Sequence, residues 1–244
     1  MRQYASTGAD VTRRAALNKG ALHASAVTGM ELSLHPTPER CRGFSFGGNM
    51  AKQLKGKRVA ALVSTGFEQV ELSDPRRALT SAGATVHIIS PDARKVRGWN
   101  HTEWGDEVDV DQTLDQARAD EYDALLLPGG VMNPDHLRMN AKAVDFVKRF
   151  FDEGKPIAVI CHGPWTLVEA GVVRGITMTS YPSVKTDLQN AGATWVDREV
   201  VVDRGIVSAR RPSDIPAFNT KMIEEFEKGR HGSAGARTLT HTHA

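Results

Sequence analysis

The chain is poor in cysteine, with only Cys41 and Cys161 among its 244 residues. The two lie in regions of different composition, and neither belongs to the CxxC or Cys/His spacings that hold zinc. The sequence therefore predicts that both thiols are reduced, that neither binds a metal, and that no cofactor is required.

Long apolar runs are also lacking. No stretch approaches the roughly 20 apolar residues needed to cross a bilayer, and no apolar segment of signal-peptide length follows a basic start. These absences predict a cytoplasmic protein that has no membrane partner.

The chain has little net charge, with a formal value of +2. Residues 1–49 carry six Lys/Arg and three Asp/Glu, which leaves a net charge of −1 for residues 50–244. A nucleic-acid-binding face needs clustered basic side chains. We therefore expect no nucleic-acid partner.

Three segments differ in character. Residues 1–49 lack periodic apolar positions and are predicted either as a disordered tail or as a mis-called start, because the codons of Gly47-Gly48-Asn49 can spell a ribosome-binding site before Met50. The basic, acid-free residues 11–29 leave a transit-like segment open as a further alternative. One α/β domain is expected over residues 50–228 and a second disordered tail over residues 229–244.

Within the domain, apolar runs of strand length alternate with helical patterns. Strands are predicted at 58–63, 85–90, 124–127, 157–160, 176–179, 200–202 and 206–209, the last two joined as a hairpin. The continuous apolar runs among them, such as 58–63, are expected for parallel strands that are covered on both faces. Ser73-Asp74-Pro75 predicts one helix start, residues 141–152 predict an amphipathic helix, and Asn133-Pro134-Asp135-His136 predicts a surface loop. Residues 91–121 predict a long excursion with room for a small hairpin, anchored by Trp99 and Trp104. The fold class is an α/β three-layer sandwich around a doubly wound, mainly parallel, flavodoxin-like sheet.

Cys161 stands where the apolar run 157–160 meets a short helical pattern that starts at Pro164. A strand, a sharp turn and a helix form a nucleophile elbow, which lifts a side chain out of the sheet beside a helix N-terminus. The positive end of the helix dipole favours a thiolate there. A buried structural cysteine is the alternative interpretation.

Two further loops should meet Cys161, because the carboxyl ends of parallel strands share one edge of the sheet and ligands bind there where the strand order reverses. Glu68 follows the first strand and could hydrogen-bond the sulfur, with a pKa raised by a neighbouring thiolate. Gly129-Gly130 follows another strand and could donate backbone N–H groups to an oxyanion. Alternatively, Glu68 is a solvated loop acid and the two glycines form a plain tight turn.

Five motifs together resemble one known family. They are Gly66-Phe67-Glu68-Gln69-Val70-Glu71-Leu72, Leu127-Pro128-Gly129-Gly130, Ala158-Val159-Ile160-Cys161-His162-Gly163-Pro164, Thr179-Ser180-Tyr181-Pro182 and Asn190-Ala191-Gly192-Ala193. In this order they resemble the PfpI-like intracellular protease and deglycase family, the microbial branch of the Parkinsonism-associated deglycase superfamily. The related class I glutamine amidotransferase triad is not expected, because no His-x-Glu pair follows.

The resemblance implies a role for each matching residue. Cys161 would be the nucleophile, Glu68 the acid that hydrogen-bonds it, and His162 the adjacent base. The backbone of Gly130 and His162 would form the oxyanion hole. Asp135 stands near the place of a family acid that reaches the histidine from a neighbouring subunit, in a loop one residue longer than usual. The substrate pocket is assigned to Gly129, Gly130, Tyr181, Trp165 and Glu71.

The resemblance also implies the chemistry. The Cys161 thiolate would attack a small aldehyde such as methylglyoxal, or its adducts on amines, and protons moving through Glu68 and His162 would give lactate or glycolate. Attack on a peptide carbonyl by the same thiolate is the alternative, and a redox-sensing or chaperone-like stress protein with an oxidisable Cys161 is a third. Trp165, in place of the family's usual glutamine, narrows the expected pocket and favours aldehydes. A homodimer or a hexamer is expected.

Overall fold

The computed structural model describes residues 53–92 and 94–232. Six α-helices lie in this part of the chain: α1 Gln69–Ser81, α2 Met132–Arg138, α3 Ala141–Asp152, α4 Pro164–Glu169, α5 Lys185–Asn190 and α6 Ile215–Lys228. The predictions for residues 1–49, Cys41, Met50 and residues 233–244 fall outside the described residues. No helix in the described part is long and apolar enough to span a membrane.

The described strands form one large sheet and two small ones. They are β1 Arg58–Leu62, β2 Phe67–Glu68, β3 Thr85–Ser90, β4 Lys95–Asn100, β5 Glu103–Asp109, β6 Gln112–Thr113, β7 Ala124–Leu127, β8 Ile157–Ile160, β9 Thr177–Met178, β10 Thr194–Trp195, β11 Val200–Asp203 and β12 Ile206–Ala209. The large sheet has the order β11-β12-β8-β7-β1-β3-β6 and is parallel except for β11, which pairs with β12 in a hairpin. The predicted doubly wound, mainly parallel sheet is confirmed.

Both faces of the large sheet are covered, which explains its uninterrupted apolar strands. Side chains alternate between the two faces along each strand. In β8, Ile157 and Val159 belong to a core with α3 and α4, whereas Ala158 and Ile160 belong to a second core with α1 and α6. The inner face of α6 carries Phe218, Met222 and Phe226 at intervals of four residues, and all three are at most 1% exposed.

The long excursion contains the expected hairpin. Strands β4 and β5 pair antiparallel, and β4 also pairs with β2. Trp99 and Trp104 face each other across the hairpin, with their rings edge to face at 5.3 Å. This cross-strand aromatic contact supports their predicted anchoring role.

Two local predictions were wrong. Helix α1 begins at Gln69 rather than at Ser73-Asp74-Pro75, and Pro75 lies inside it. The earlier start is favoured because it buries Leu72 against the sheet, an apolar gain that overrides the capping signal. Residues 133–136 are not a loop but lie within α2, whose first turn accommodates Pro134.

The sheet topology places three loops at one crevice. The chain moves from β1 to β3 on one side and then returns to β7 on the other side of β1, so the strand order reverses between β1 and β7. Strand β8 lies next to β7. The loops that leave β1, β7 and β8 therefore meet at this switch point.

Candidate active site

Cys161 occupies the turn between β8 and α4. Its backbone is left-handed, with φ of 62°, a conformation that costs energy for any residue with a side chain. The turn is fixed by the Cys161 N–H, which donates to Ala209 at 3.0 Å, and by its carbonyl, which accepts the Tyr181 N–H at 2.9 Å. A side chain at Gly163 would lie 2.8 Å from the Leu127 carbonyl oxygen. The predicted strand, turn and helix are confirmed, and Cys161 is 7% exposed.

His162 turns back onto the cysteine that precedes it. Its Nδ1 lies 3.1 Å from Cys161 Sγ. Neighbouring side chains usually diverge, and the strained backbone of Cys161 removes that obstacle. The other ring nitrogen, Nε2, lies 3.0 Å from Ser183 Oγ. Each nitrogen of the imidazole therefore has one partner within the chain.

Two aromatic side chains enclose the imidazole. Tyr181 stacks on it, with ring centroids 4.6 Å apart and planes 23° apart. Trp165 presents its ring at 5.3 Å and 63°, and its Nε1 donates to Asp187 at 2.7 Å. His162 is buried, and burial lowers the pKa of its imidazole. A neutral imidazole at neutral pH can accept a proton from the thiol.

The carboxyl group beside the cysteine belongs to Glu71, not to Glu68. Glu71 is 0% exposed, and its Oε2 accepts the Gly129 N–H at 2.8 Å. The same carboxyl group lies next to the Cys161 thiol and interacts with it electrostatically, and its Oε1 has no hydrogen-bond partner among the described residues. Glu71 was assigned to the substrate pocket from the sequence, and the structure places it beneath the nucleophile instead.

Glu68 lies three residues before Glu71 and is not the acid beside the sulfur. It is the last residue of β2, and the helix begins directly after it. Its carboxyl group interacts with His101 at the tip of the β4–β5 hairpin, and partial burial raises its pKa. One signal could have identified Glu71. It is an acid that stands between two apolar residues, Val70 and Leu72, in the first turn of a helix that packs against the sheet.

Burial controls the protons of the Glu71 and Cys161 pair. Burial raises the pKa of Glu71 from 4.5 to about 8, so this carboxyl keeps its proton at neutral pH. Burial also raises the pKa of the Cys161 thiol and the neighbouring Glu71 carboxyl raises it further, whereas the N–H groups of Gly130 and His162 lower it. An ionised Glu71 would oppose a thiolate, but a protonated Glu71 can donate to it. The site can therefore hold one thiolate when Glu71 carries the proton.

The Gly129-Gly130 turn places backbone donors at the sulfur. Gly130 has a φ of 79°, and a Cβ there would lie 2.5 Å from the Gly66 carbonyl oxygen and 2.7 Å from the Glu68 nitrogen. A Cβ at Gly129 would lie 2.7 Å from the Cys161 Cβ. Both positions thus require glycine, because the surrounding atoms of the same chain leave no space for a side chain. The Gly130 N–H and the His162 N–H both lie near enough to Cys161 Sγ to lower the pKa of its thiol.

Asn133 holds this turn in place. It is 0% exposed, its Nδ2 donates to the carbonyls of Pro128 and Gly129 at 2.9 and 3.2 Å, and its Oδ1 accepts the Ser64 N–H at 2.7 Å. One side chain thereby joins the loops that follow β1 and β7. Asn133 could not be identified as a site residue from the sequence, because only tertiary contacts show that it is buried.

Asp135 is exposed on α2. No hydrogen bond between described residues joins its side chain to Cys161 or His162, so within one chain the structure does not bring it into the site. Ser183, which was not singled out from the sequence, contacts the histidine instead. Among the described residues, no group of three or more His, Cys, Asp or Glu side chains is arranged to hold a metal ion.

Known proteins resemble this chain in sequence and in fold. Residues 57–225 match the model of the DJ-1/PfpI family. A Pyrococcus furiosus protein named "Deglycase PfpI" is 42% identical over 167 residues, which cover 68% of this chain and 98% of that protein. "Putative cysteine protease YraA" from Bacillus subtilis is 39% identical over 167 residues, which cover 68% of this chain and 96% of that one. The crystal structure of Drosophila melanogaster DJ-1beta superposes with a TM-score of 0.65 at 28% identity, over 70% of this chain and 90% of that one. Since the family model spans well over half of its length, the chain belongs to the DJ-1/PfpI family.

Proposed function

We propose that this protein is a cysteine-dependent enzyme that acts on small reactive aldehydes, converting methylglyoxal to lactate or releasing lactate from methylglyoxal adducts on amines. The observation that carries the proposal is a thiol on a strained turn with an imidazole nitrogen 3.1 Å from its sulfur and a buried acid on its other side. A nucleophile, a base and an acid with a raised pKa are the groups that carbonyl addition and proton transfer require.

The first step joins the enzyme to the aldehyde. Cys161 Sγ adds to the aldehyde carbon, and the negative charge on the carbonyl oxygen is stabilised by the N–H groups of Gly130 and His162. The thiol proton passes to this oxygen through Nδ1 of His162, giving a hemithioacetal. With an amine adduct as substrate, the sulfur displaces the amine and forms the same hemithioacetal.

The second step is an internal oxidation and reduction. His162 removes the hydrogen of the former aldehyde carbon as a proton, and the electron pair enters the neighbouring carbonyl to form an enediol. Protonation of the ketone-derived carbon gives a lactyl thioester, which water hydrolyses to lactate and the free thiol. One carbon is oxidised and its neighbour is reduced, so the reaction needs no external oxidant.

The narrow approach to the thiol favours a small substrate. Cys161 and His162 are 7% and 8% exposed, and the ring of Trp165 lies beside the imidazole. An extended peptide would need a groove that exposes the nucleophile over several residues on each side. The name of the YraA relative keeps peptide hydrolysis as the second candidate, because the same thiol, base and N–H donors also suit a peptide carbonyl.

The test measures lactate formed from methylglyoxal in an amine-free buffer, with free amines supplied separately for the adduct reaction. We expect the Cys161→Ser variant to lose at least about a hundredfold in kcat/KM, since the nucleophile is absent, and the His162→Ala variant to lose nearly as much. Cys41→Ser, which alters the other cysteine of the chain, is the matched control and should retain full activity. Casein hydrolysis that depends on Cys161, without lactate formation, would replace this proposal by the peptidase.

A further inference from the structure

Ser183 contacts the candidate base from the side opposite to the thiol. Its Oγ lies 3.0 Å from Nε2 of His162, and it is the second residue of a 3-10 turn, Pro182–Val184. The turn is tied to the nucleophile itself, because the Tyr181 N–H donates to the Cys161 carbonyl at 2.9 Å and the Val184 N–H donates to Tyr181 at 3.0 Å. Two short backbone segments, joined by the hydrogen bond between Tyr181 and Cys161, therefore hold the serine, the histidine and the cysteine.

The partner of Nε2 decides what Nδ1 can do. When Nδ1 accepts the thiol proton, Nε2 carries a hydrogen and needs an acceptor; when Nδ1 carries the hydrogen, neutral Nε2 needs a donor. A serine hydroxyl can act as either, because it has one donor and two acceptor sites. A carboxylate at the same place would accept only and would hold the imidazole in its charged form.

The charged groups around the ring do not take over this role. Arg138 pairs with Glu169 and lies over the ring of Trp165, with its Cζ 5.9 Å from the ring centroid. Neither contact involves the imidazole of His162. Asp187 is bonded to the Trp165 indole. The described groups in direct contact with the imidazole are the Cys161 thiol, the Tyr181 and Trp165 rings, and the Ser183 hydroxyl.

We propose that Ser183 is the positioning residue of this site: its hydroxyl orients His162 through Nε2 and keeps the imidazole neutral and able to take and return one proton at Nδ1. The base is then supported at Nε2 by a hydroxyl of the chain that carries it. The inference rests on the proposed function where turnover is measured, but thiol reactivity tests it without any substrate.

The first measurement is the rate at which iodoacetamide alkylates Cys161 between pH 5 and 10, in a Cys41→Ser background. We expect Ser183→Asp to stabilise the imidazolium, so that a thiolate forms beside it at lower pH and alkylation at pH 6 becomes about tenfold faster than in the parent protein. Ser183→Thr keeps the hydroxyl and should follow the parent profile. Ser183 is exposed, so these substitutions leave the core untouched.

The second measurement is kcat for methylglyoxal. We expect Ser183→Ala to lower kcat about tenfold with little change in KM, and Ser183→Thr to restore it. Ser213→Ala is the matched control, because Ser213 follows a proline in another 3-10 turn, Pro212–Asp214, and it should leave both measurements unchanged.

The outcomes separate the two proposals. Identical alkylation profiles for the parent, Ser183→Ala and Ser183→Asp would overturn the positioning role whatever the substrate. Altered alkylation profiles with no lactate formed by any variant would support the role of Ser183 and count against the proposed function alone.

Discussion

Glu71 and Cys161 lie in contact at the switch point of the sheet, and Glu71 Oε2 also accepts the N–H of Gly129, one residue before the backbone donor at Gly130. The buried acid thus links the nucleophile to the turn that supplies the oxyanion donors. Its protonation state decides whether it supports or opposes a thiolate.

Replacing Glu71 tests whether a neutral hydrogen-bond donor is sufficient. Glu71→Gln is neutral at every pH and still offers one oxygen to Gly129 and an N–H₂ group to the sulfur, so we expect it to keep at least about a tenth of the parent kcat/KM. Glu71→Ala leaves the Gly129 N–H without a partner and should lose about a hundredfold or more, of the order of 3 kcal/mol. Equal losses in the two variants would contradict the donor role.

The same residue makes stability depend on pH. The folded pKa of Glu71, about 8, lies above the value of 4.5 expected for the unfolded chain. The stability that depends on a protonated Glu71 is greatest below pH 4.5, declines as the pH rises and has fallen by roughly 5 kcal/mol at about pH 8. Chemical denaturation at pH 5 and pH 8.5 should therefore show Glu71→Gln gaining stability relative to the parent at the higher pH. A constant difference between the two proteins would exclude a buried, protonated Glu71.

Gly130 should tolerate no side chain. In Gly130→Ala the new Cβ would meet backbone atoms of the β1–α1 connection at 2.5 and 2.7 Å, and the φ of 79° adds strain. We expect loss of detectable turnover together with reduced thermal stability. Gly171→Ala is the control, because Gly171 has a similar φ of 70° with no atom near the added Cβ; it should cost about 1 kcal/mol and leave kcat unchanged.

Asn133 should matter for both stability and activity. Asn133→Leu removes the partner of three backbone groups, which costs roughly 1–3 kcal/mol for each group left unsatisfied, and it releases the turn that carries Gly130. We expect a loss of at least about 3 kcal/mol in the free energy of unfolding and at least a tenfold fall in kcat. Asn140→Ala, which removes only the N-cap of α3, should cost about 1 kcal/mol without affecting kcat. Parent-like turnover in Asn133→Leu would show that the turn holds its own shape.

Trp165 should limit the size of the aldehyde. Its ring lies at 5.3 Å from the His162 ring, so Trp165→Gln opens the approach to the thiol. We expect kcat/KM for phenylglyoxal to rise about tenfold relative to kcat/KM for methylglyoxal, a change of about 1.4 kcal/mol in the relative barriers. Trp104→Gln is the control, because it alters an exposed tryptophan of the β4–β5 hairpin; it should leave this ratio unaltered.

Much of the architecture followed from local patterns. Uninterrupted apolar runs such as 157–160 predict strands covered on both faces, and the structure places them in a parallel sheet between two cores. The start of α1 was predicted wrongly because Ser73-Asp74-Pro75 is a strong local signal, whereas the energy that favours the earlier start comes from burying Leu72 in a tertiary contact with the core.

The sequence by itself determined the sheet, the position of Cys161 on a strand-to-helix turn and the glycines that approach it, because backbone preferences and apolar periodicity are local properties. Only the tertiary structure decided which acid meets the sulfur and which hydroxyl meets the histidine. Glu68 and Glu71 are three residues apart and equally acidic, and the point at which α1 begins places one at the hairpin and the other, deeply buried, under the nucleophile. Ser183 reaches His162 because the backbone of Tyr181 is hydrogen-bonded to Cys161, a contact between segments that no local pattern reports.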